Sequence, residues 1–316
     1  MTSAAPTSTF VTAADGLRLH ARCHGRRAGG ALPVVCLPGL THTAAHFEPL
    51  ATALANDPAT PRRVIALDYR GRGLSDYDPE PAHYNVQTEL ADVLTVTQAL
   101  DCLPAVFIGT SRGGILSMLL AAARPETIAG VVLNDIGPVI EIEGLLHIKS
   151  YVGKLPRVQS FEQGAAILRR LFEPQFPRLT RDDWLAAARR TFKEDEGRLV
   201  PTYDSALAKT LDGVDAEHPP PPLWDAFDAL AAVPVLAIRG GKSTLLSAET
   251  LHAMAARHPA LETLEVPDQG HPPLLAEADV IARIGGFVER CDVVYTDRGD
   301  VRHIISARRA NRKERK

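Results

Sequence analysis

One turn motif constrains the fold of this chain more than any other stretch. Apolar residues at 106–108 lead into Gly109-Thr110-Ser111-Arg112-Gly113, and a helical pattern follows over residues 114–123. A strand that reverses directly into a helix crowds the backbone, so the residues two positions either side of the serine must be small. Gly109 and Gly113 meet this requirement. The motif predicts a buried strand, a tight turn that carries Ser111 as a nucleophile, and a helix. A glycine-rich turn in which Ser111 only caps the helix is the alternative.

Short apolar runs alternate with longer helical patterns over most of the 316 residues. This alternation predicts an α/β fold, with a mostly parallel sheet covered by helices on both faces. An antiparallel hairpin over residues 9–24, turning at Asp15-Gly16, is expected to begin the sheet. Further strands are predicted at 33–37, 64–67, 129–133, 234–240 and 261–266, and helices near 85–100, 248–258 and 273–290.

The alternation stops between about residues 141 and 230, where only helical periodicities occur. Proline-rich joints at 174–177 and 219–222 separate some of these helices. We therefore predict an all-helical insertion over residues 139–231, between two core segments at 1–138 and 232–290. The predicted helices cover residues 142–154, 161–172, 182–192, 202–211 and 223–230.

Composition excludes several classes of protein. The content of hydrophobic residues is 45% and the formal net charge is −3, so no excess of charge favours nucleic acid or an anionic membrane. Residues 1–9 lack the basic start and apolar run of a secretory signal, and no stretch reaches membrane-spanning length. Four cysteines lie far apart, without the spacing of a disulfide framework or a metal site. We expect a cytoplasmic protein that has no membrane partner and an oligomeric state that the sequence does not define.

The order of the motifs resembles that of the α/β-hydrolase fold family over about residues 9–290. The resemblance is greatest to bacterial capped esterases, enol-lactonases and carbon–carbon bond hydrolases. It implies an α/β-hydrolase core, a cap inserted after the strand that follows the Ser111 turn, and catalysis without a cofactor. The stretches that carry it are Leu37-Pro38-Gly39-Leu40, residues 68–76, residues 109–113, Arg239-Gly240 and Gln269-Gly270-His271.

The resemblance also assigns roles to residues around the serine. A serine hydroxyl is a weak nucleophile and needs a base within hydrogen-bond reach. His271, just beyond the last predicted strand, matches the family's histidine and is predicted to be that base. Family members hold the developing oxyanion with two backbone N–H groups, one from the residue after the nucleophile and one from the loop after the first buried strand. These positions correspond to Arg112 and Leu40.

The third catalytic residue departs from the family pattern. Close relatives carry an aspartate in the loop after the Arg-Gly strand, and the matching position here is Thr244. A threonine has no negative charge with which to orient an imidazole and stabilise its protonated form. Asp135, at the end of the strand after the turn, is the alternative acid position in some α/β-hydrolases and is our first choice. Asp268 and Glu249 are weaker candidates.

Two further groups of polar residues call for simpler interpretations. Asp68, Arg70 and Asp76 resemble the family's polar loop, whose usual role is structural. His42 and His46 lie one helical turn apart, but no HExxH glutamate or neighbouring cysteine supports a metal site. We therefore expect neither a metal nor a cofactor.

The C-terminal segment falls outside the hydrolase pattern. We assign residues 291–316 to a basic tail, and from Tyr295 its sequence resembles the C-terminal strand and basic helix of the ribonuclease toxins of BrnT-type toxin–antitoxin modules. So few residues do not form that fold. A gene-fusion remnant or frame-shifted end is favoured over a solvated basic tail, and nucleic-acid binding is a minority option.

Together these features predict a serine hydrolase that cleaves a small or medium carboxylic ester or lactone through an acyl-enzyme. Ser111 attacks, His271 transfers the proton, Asp135 orients His271, and the Leu40 and Arg112 amides hold the oxyanion. Two alternatives stay open. One is a carbon–carbon bond hydrolase of the same fold, and the other is a ligand-binding relative with little turnover because Thr244 replaces the usual acid.

Overall fold

An eight-stranded sheet forms the centre of the chain in the computed structural model, which describes residues 5–26 and 31–295. Its strands are β1 (Thr7–Thr12), β2 (Arg18–His24), β3 (Val34–Leu37), β4 (Val64–Leu67), β5 (Ala105–Thr110), β6 (Ile128–Asn134), β9 (Val235–Gly240) and β10 (Glu262–Val266). The spatial order is β1-β2-β4-β3-β5-β6-β9-β10. The pairs β1–β2 and β2–β4 are antiparallel, and every later neighbour is parallel.

Helices cover both faces of this sheet. The α-helices are α1 (Glu48–Ala55), α2 (Val86–Ala99), α3 (Arg112–Ala123), α4 (Ile142–Tyr151), α5 (Phe161–Phe172), α6 (Arg181–Thr191), α7 (Trp224–Asp228), α8 (Ala248–Arg257) and α9 (Ala278–Val294). Short 3₁₀ helices occur at Ala44–Phe47, Pro81–His83, Pro125–Thr127, Ser205–Leu211 and Ala229–Ala232. Apolar residues of α1 and α9 pack on one face of the sheet, and those of α2, α3 and α8 pack on the other.

The predicted α/β-hydrolase fold is confirmed. All residues of β3, β4, β5 and β6 are buried, which explains why these strands are continuous apolar runs rather than alternating ones. Parallel strands bring their carboxyl ends to one edge, so the loops that follow β3, β5, β6, β9 and β10 lie together there. This edge is where the sequence-predicted site residues are expected to meet.

The segment between β6 and β9 contains the predicted helices, but the expectation that it is all-helical was wrong. Two strands, β7 (Phe192–Asp195) and β8 (Arg198–Pro201), form an antiparallel hairpin there. The two residues of its loop, Glu196 and Gly197, have positive φ angles of 48° and 75°. Positive φ at both central positions is the geometry of the tight turn that suits the twist of a hairpin. The segment has its own small apolar cluster, which includes Trp184, Phe192 and Leu199.

The closing helix lies further along the chain than the predicted 273–290, since it begins at Ala278 and has 17 residues. It ends at Val294, and Cys291 is fully buried in the cluster that also contains Ile284 and Phe287. The predicted start of the tail at residue 291 was therefore four residues too early, because the helix still packs on the sheet there. The stretch that resembles a BrnT-type toxin, apart from Tyr295, lies outside the described residues.

Within residues 5–26 and 31–295, no helix is both long enough and apolar enough to cross a membrane.

Candidate active site

The turn between β5 and α3 holds Ser111 in a conformation that few non-glycine residues adopt. Its φ is 50° and its ψ is −114°. The neighbouring glycines make this turn possible, because a Cβ at Gly113 would collide with the Leu37 carbonyl and a Cβ at Gly109 would lie 2.5 Å from the Gly113 carbonyl group. The serine is thus held at the carboxyl edge of the sheet by a strained turn, which is the geometry expected of a nucleophile elbow.

The structure brings Ser111, His271 and Asp135 into one hydrogen-bonded chain. The Nε2 atom of His271 lies 3.0 Å from Ser111 Oγ, and its Nδ1 atom lies 2.8 Å from Asp135 Oδ2. Because a carboxylate only accepts hydrogen bonds, Nδ1 carries the proton shared with Asp135. Nε2 is then left to accept the proton of the Ser111 hydroxyl. This arrangement can deprotonate the serine as it attacks a carbonyl carbon.

Asp135 is fully buried and held by donors from the neighbouring strand and its loop. It follows β6 with a φ of 55°, and its Oδ1 accepts the Gly240 N–H at 2.7 Å. The Ser243 hydroxyl donates to Oδ2 at 2.6 Å. With His271, three donors surround a single carboxylate, so the buried acceptors are hydrogen-bonded. Sequence reasoning missed Ser243, whose one distinguishing feature was its position next to Thr244.

The other acid positions considered from sequence do not reach His271. Thr244 uses its carbonyl oxygen to accept the Gly144 N–H at 3.1 Å, at the start of α4. Asp268 faces Arg178 at 3.7 Å, and Glu249 is exposed in the first turn of α8. Of the four positions considered, only Asp135 presents a carboxylate to the imidazole.

The loop that carries His271 is fixed from both sides. Gln175, between α5 and α6, accepts the His271 backbone N–H at 2.9 Å through its side-chain oxygen. Within the loop, the side-chain oxygen of Gln269 accepts the Leu274 N–H at 2.6 Å. Sequence reasoning missed Gln175, because nothing in its local pattern indicates a contact 96 residues away. The inserted segment therefore holds the histidine in place directly.

The Leu40 loop lies beside the serine. A Cβ placed on Gly39 would be 3.7 Å from the Ser111 Cβ. Within the part of the chain that the structure describes, no protein acceptor receives the backbone N–H of Leu40 or of Arg112. Arg112 is the first residue of α3, where N–H groups have no partner inside the helix. Two amides next to the nucleophile can thus donate to a developing oxyanion.

A buried ionic network ties these two backbone segments together. Arg72 and Glu89 are fully buried, and their side chains pair at 2.8 Å. Arg72 Nε also donates to the Leu40 carbonyl at 2.8 Å, and Glu89 accepts from Arg112 Nε at 2.7 Å. Burial alone would raise the pKa of Glu89, but the Arg72 and Arg112 guanidiniums outweigh it and hold the pKa below its ordinary value. Sequence reasoning did not identify Glu89, because it lies within an ordinary amphipathic helix.

Comparison with known proteins places this architecture in a family. The family model described as the alpha/beta hydrolase family matches residues 34–284. The chain belongs to the alpha/beta hydrolase family. Membership of this family, with relatives that are named hydrolases, makes the protein a hydrolase enzyme.

Three proteins similar to this α/β-hydrolase cover between 78% and 92% of its chain. It is 32% identical over 291 residues to a 3-hydroxybutyrate-oligomer hydrolase of Cupriavidus necator, covering 89% of this chain and 97% of that one. It is 30% identical over 247 residues to a 2-(acetamidomethylene)succinate hydrolase of Mesorhizobium japonicum, covering 78% and 84%. A crystal structure of an α/β-hydrolase from Novosphingobium aromaticivorans superposes with a TM-score of 0.84 at 39% identity, covering 92% of this chain and all of that one.

The polar loop of this hydrolase shapes the backbone around the site. Asp68 Oδ1 accepts the Ala44 N–H at 2.6 Å, directly after the Leu40 loop, and Asp68 Oδ2 lies 2.7 Å from His20 Nδ1. Arg70 pairs with Asp92 at 2.7 Å, and Asp76 pairs with Arg18 at 3.0 Å. In the part of the chain that the structure describes, none of these hydrogen bonds or ion pairs involves Ser111 or His271, which agrees with the structural role expected of the loop.

The side chains that could act as metal ligands make other contacts in this structure. The rings of His42 and His46 stack with centroids 4.1 Å apart and planes 12° apart, so they do not converge on one point. Among the described residues, Asp15, Asp78 and His83 form one compact cluster of possible ligands. Arg70 pairs with both carboxylates, at 2.8 Å and 2.5 Å, and supplies the positive charge that a cation would bring.

The Glu89 network allows a first prediction. Glu89→Gln keeps the volume of the side chain but removes the charge that balances Arg72 and Arg112. Leaving the buried Arg72 guanidinium and the partly buried Arg112 guanidinium without their shared carboxylate is expected to lower the free energy of unfolding by about 3–5 kcal/mol. Chemical unfolding followed by circular dichroism measures this change. Glu249→Gln, an exposed match on α8, is expected to stay within about 0.5 kcal/mol of the unmodified protein. A loss below about 1 kcal/mol in Glu89→Gln would show that the network contributes little.

Proposed function

We propose that this protein is a cofactor-independent serine hydrolase that cleaves a short carboxylic ester or lactone. The observation that carries the proposal is the hydrogen-bonded chain from Ser111 through His271 to the buried Asp135. In the first step Ser111 Oγ attacks the carbonyl carbon, and its proton passes to His271 Nε2. The carbonyl oxygen becomes an oxyanion that accepts hydrogen bonds from the Leu40 and Arg112 amides. Asp135 stabilises the imidazolium that has formed.

His271 then carries each remaining proton of the cycle. The tetrahedral intermediate collapses, the bond to the leaving alkoxide breaks, and Nε2 returns its proton to give the alcohol and an acyl-serine. A water molecule next gives a proton to Nε2 and attacks the acyl carbon. As the second intermediate collapses, Nε2 returns this proton to Ser111 Oγ, which releases the carboxylic acid and restores the free serine. Apart from the ester and the water molecule, every group used in these steps belongs to the chain itself.

The position of Asp135 bears on the alternative of a ligand-binding relative with little turnover. That alternative depends on Thr244 leaving the histidine without an acid. Asp135 Oδ2 lies 2.8 Å from His271 Nδ1, and so a carboxylate faces the imidazole from another strand. The contact favours a working enzyme over a binder.

We also propose that residues 139–231 form a cap that selects the substrate. Gln175 of this segment holds the His271 backbone, and Leu274 of the histidine loop packs against the apolar cluster of the segment. Closure over the nucleophile limits access of water to the acyl-enzyme. The relatives named above act on 3-hydroxybutyrate oligomers and on 2-(acetamidomethylene)succinate, as their names state. We place the enzyme in the cytoplasm on the same proposal.

A fluorophosphonate probe tests whether the serine is activated. The unmodified protein is expected to react covalently at Ser111, because attack on phosphorus needs the same base and oxyanion donors as attack on an ester. Mass spectrometry of the labelled peptide identifies the residue. Ser117→Ala, which changes a buried serine six positions further along in α3, is expected to label normally. Absence of labelling in the unmodified protein, or labelling at another serine, would refute the proposal.

A further inference from the structure

A small cavity lies between the cap and the histidine loop. It has a volume of about 110 Å³ and opens onto His271. Aromatic and aliphatic side chains such as Tyr151, Phe172 and Trp184 form most of its wall. Among the described residues, no aspartate or glutamate lines it. Arg190 is the one arginine or lysine in that lining, so an apolar cavity beside the reacting histidine carries a positive charge.

The guanidinium of Arg190 differs from the other enclosed arginines of the described chain. The buried arginines Arg62, Arg70 and Arg72 each have a carboxylate within 3.1 Å. Arg190 is half-buried on α6, yet within residues 5–26 and 31–295 no carboxylate lies within ion-pair distance of it. Asp183, the acid whose field acts on Arg190, instead accepts hydrogen bonds from Thr180 at the start of the same helix.

Leaving a guanidinium partly desolvated without a partner is unfavourable. Burial lowers the pKa of Arg190, and the field of Asp183 only partly offsets this. An arginine side chain stays protonated even so. A charge that the protein keeps beside its active site without a carboxylate of its own is therefore available to a carboxylate from outside.

Two histidines line the cavity together with Arg190. His42 and His46 line the same space, on the loop and turn that follow β3. Burial lowers the pKa of His42 to about 4, and the pKa of His46 also lies well below its ordinary value. Both rings are thus neutral near pH 7. They can offer N–H groups to an anion without adding two further charges that would have to be desolvated.

We propose that Arg190 binds a free carboxylate of the substrate, which makes the natural substrate an anionic ester. This inference rests on the proposed ester hydrolysis at Ser111 and names its substrate class. The size of the cavity limits the chain between the carboxylate and the scissile bond to a short one. A neutral ester of the same length would leave the Arg190 charge unpaired and would react more slowly.

Two matched pairs of substrates test the proposal, since the carboxylate can belong to the acyl or to the alcohol part. For the acyl part, mono-4-nitrophenyl glutarate is compared with 4-nitrophenyl pentanoate. For the alcohol part, 3-(butanoyloxy)butanoate is compared with its methyl ester, and release of butanoate is followed. The unmodified enzyme is expected to favour the anionic member of at least one pair, with a higher kcat/KM.

Arg190→Met should remove that preference. For the favoured anionic ester, kcat/KM is expected to fall on the order of 100-fold, mostly through KM, whereas for the neutral partner it changes less than about threefold. Arg190→Lys is expected to restore part of the loss, because it keeps the charge without the planar fork. Arg189→Met is the control, since Arg189 is the exposed neighbour on the same helix and stacks on Phe161 at 4.9 Å.

The outcomes separate this inference from the function on which it rests. An equal effect of Arg190→Met on both members of each pair would overturn the carboxylate site, as would a preference of the unmodified enzyme for the neutral esters. In either case hydrolysis of the neutral esters would still support the proposed function. If the unmodified enzyme hydrolysed none of the four esters, both proposals would be overturned together.

Discussion

Replacement of Ser111 by alanine is expected to lower kcat for a short ester such as 4-nitrophenyl butyrate on the order of 10⁶-fold, to the level left by substrate binding and the oxyanion donors. The reason is that the acyl-enzyme needs an oxygen nucleophile at this position, and no other hydroxyl is hydrogen-bonded to His271 Nε2 in the described residues. Steady-state release of nitrophenolate measures the change. The variant keeps the backbone strain at φ 50° that serine already bears, so it is expected to fold.

This result needs two controls, one for correct folding of the variant and one for contaminating esterase activity. The Ser111→Ala protein is expected to show the far-UV circular dichroism and thermal transition of the unmodified protein. Ser117→Ala, purified in parallel, keeps the nucleophile and should retain activity. If Ser111→Ala kept more than about a tenth of the activity, Ser111 would not be the nucleophile.

Replacement of Asp135 by asparagine is expected to lower kcat on the order of 10⁴-fold. An asparagine amide does not hold the negative charge that stabilises the imidazolium, and it also favours the wrong tautomer of His271. The change suits the backbone, because asparagine tolerates the positive φ of 55° found here. The kcat of short ester hydrolysis, together with the thermal transition, separates loss of catalysis from loss of folding. Asp268→Asn, which alters a loop acid paired with Arg178 at 3.7 Å, is the matched control and should stay within a few-fold.

The companion variant Thr244→Asp tests whether activity requires a carboxylate at the family's usual acid position. Because Asp135 already faces His271 at 2.8 Å, a second carboxylate at residue 244 is expected to change kcat less than about threefold. A large gain of activity in Thr244→Asp, with little loss in Asp135→Asn, would mean that the natural protein lacks a working acid. That result would favour the ligand-binding alternative.

Local patterns were sufficient to predict the elements that build the site. The glycines at 109 and 113 predicted the turn at Ser111, because a strand that reverses into a helix leaves no room for side chains there. The apolar runs at 64–67 and 106–108 were recognised as strands, since both faces of a parallel sheet are covered. The hairpin at β7 and β8 was missed because its short strands carry few apolar residues, and one glycine, Gly197, is a weak indication of a turn.

Other features depend on elements that are distant in sequence. Asp135 reaches His271 because β6 and β9 are neighbours in the sheet, which lets Gly240 and Ser243 orient the carboxylate from the adjacent strand and loop. Glu89 balances Arg72 and Arg112 only because α2 packs beside α3 and the polar loop.

The sequence by itself determined the α/β class and the serine turn, because hydrophobic period and local sterics are displayed by a single stretch of chain. The family fold, and the order in which serine, acid and histidine follow one another, were implied by the resemblance of its motifs to the α/β-hydrolase family. Only the tertiary structure decided that Asp135 is the carboxylate at His271, and that Arg190 stands in a cavity beside it without a carboxylate partner in the described chain. Distances between side chains on separate elements, and the burial that makes an unpaired charge costly, exist only once the sheet and the cap have packed together.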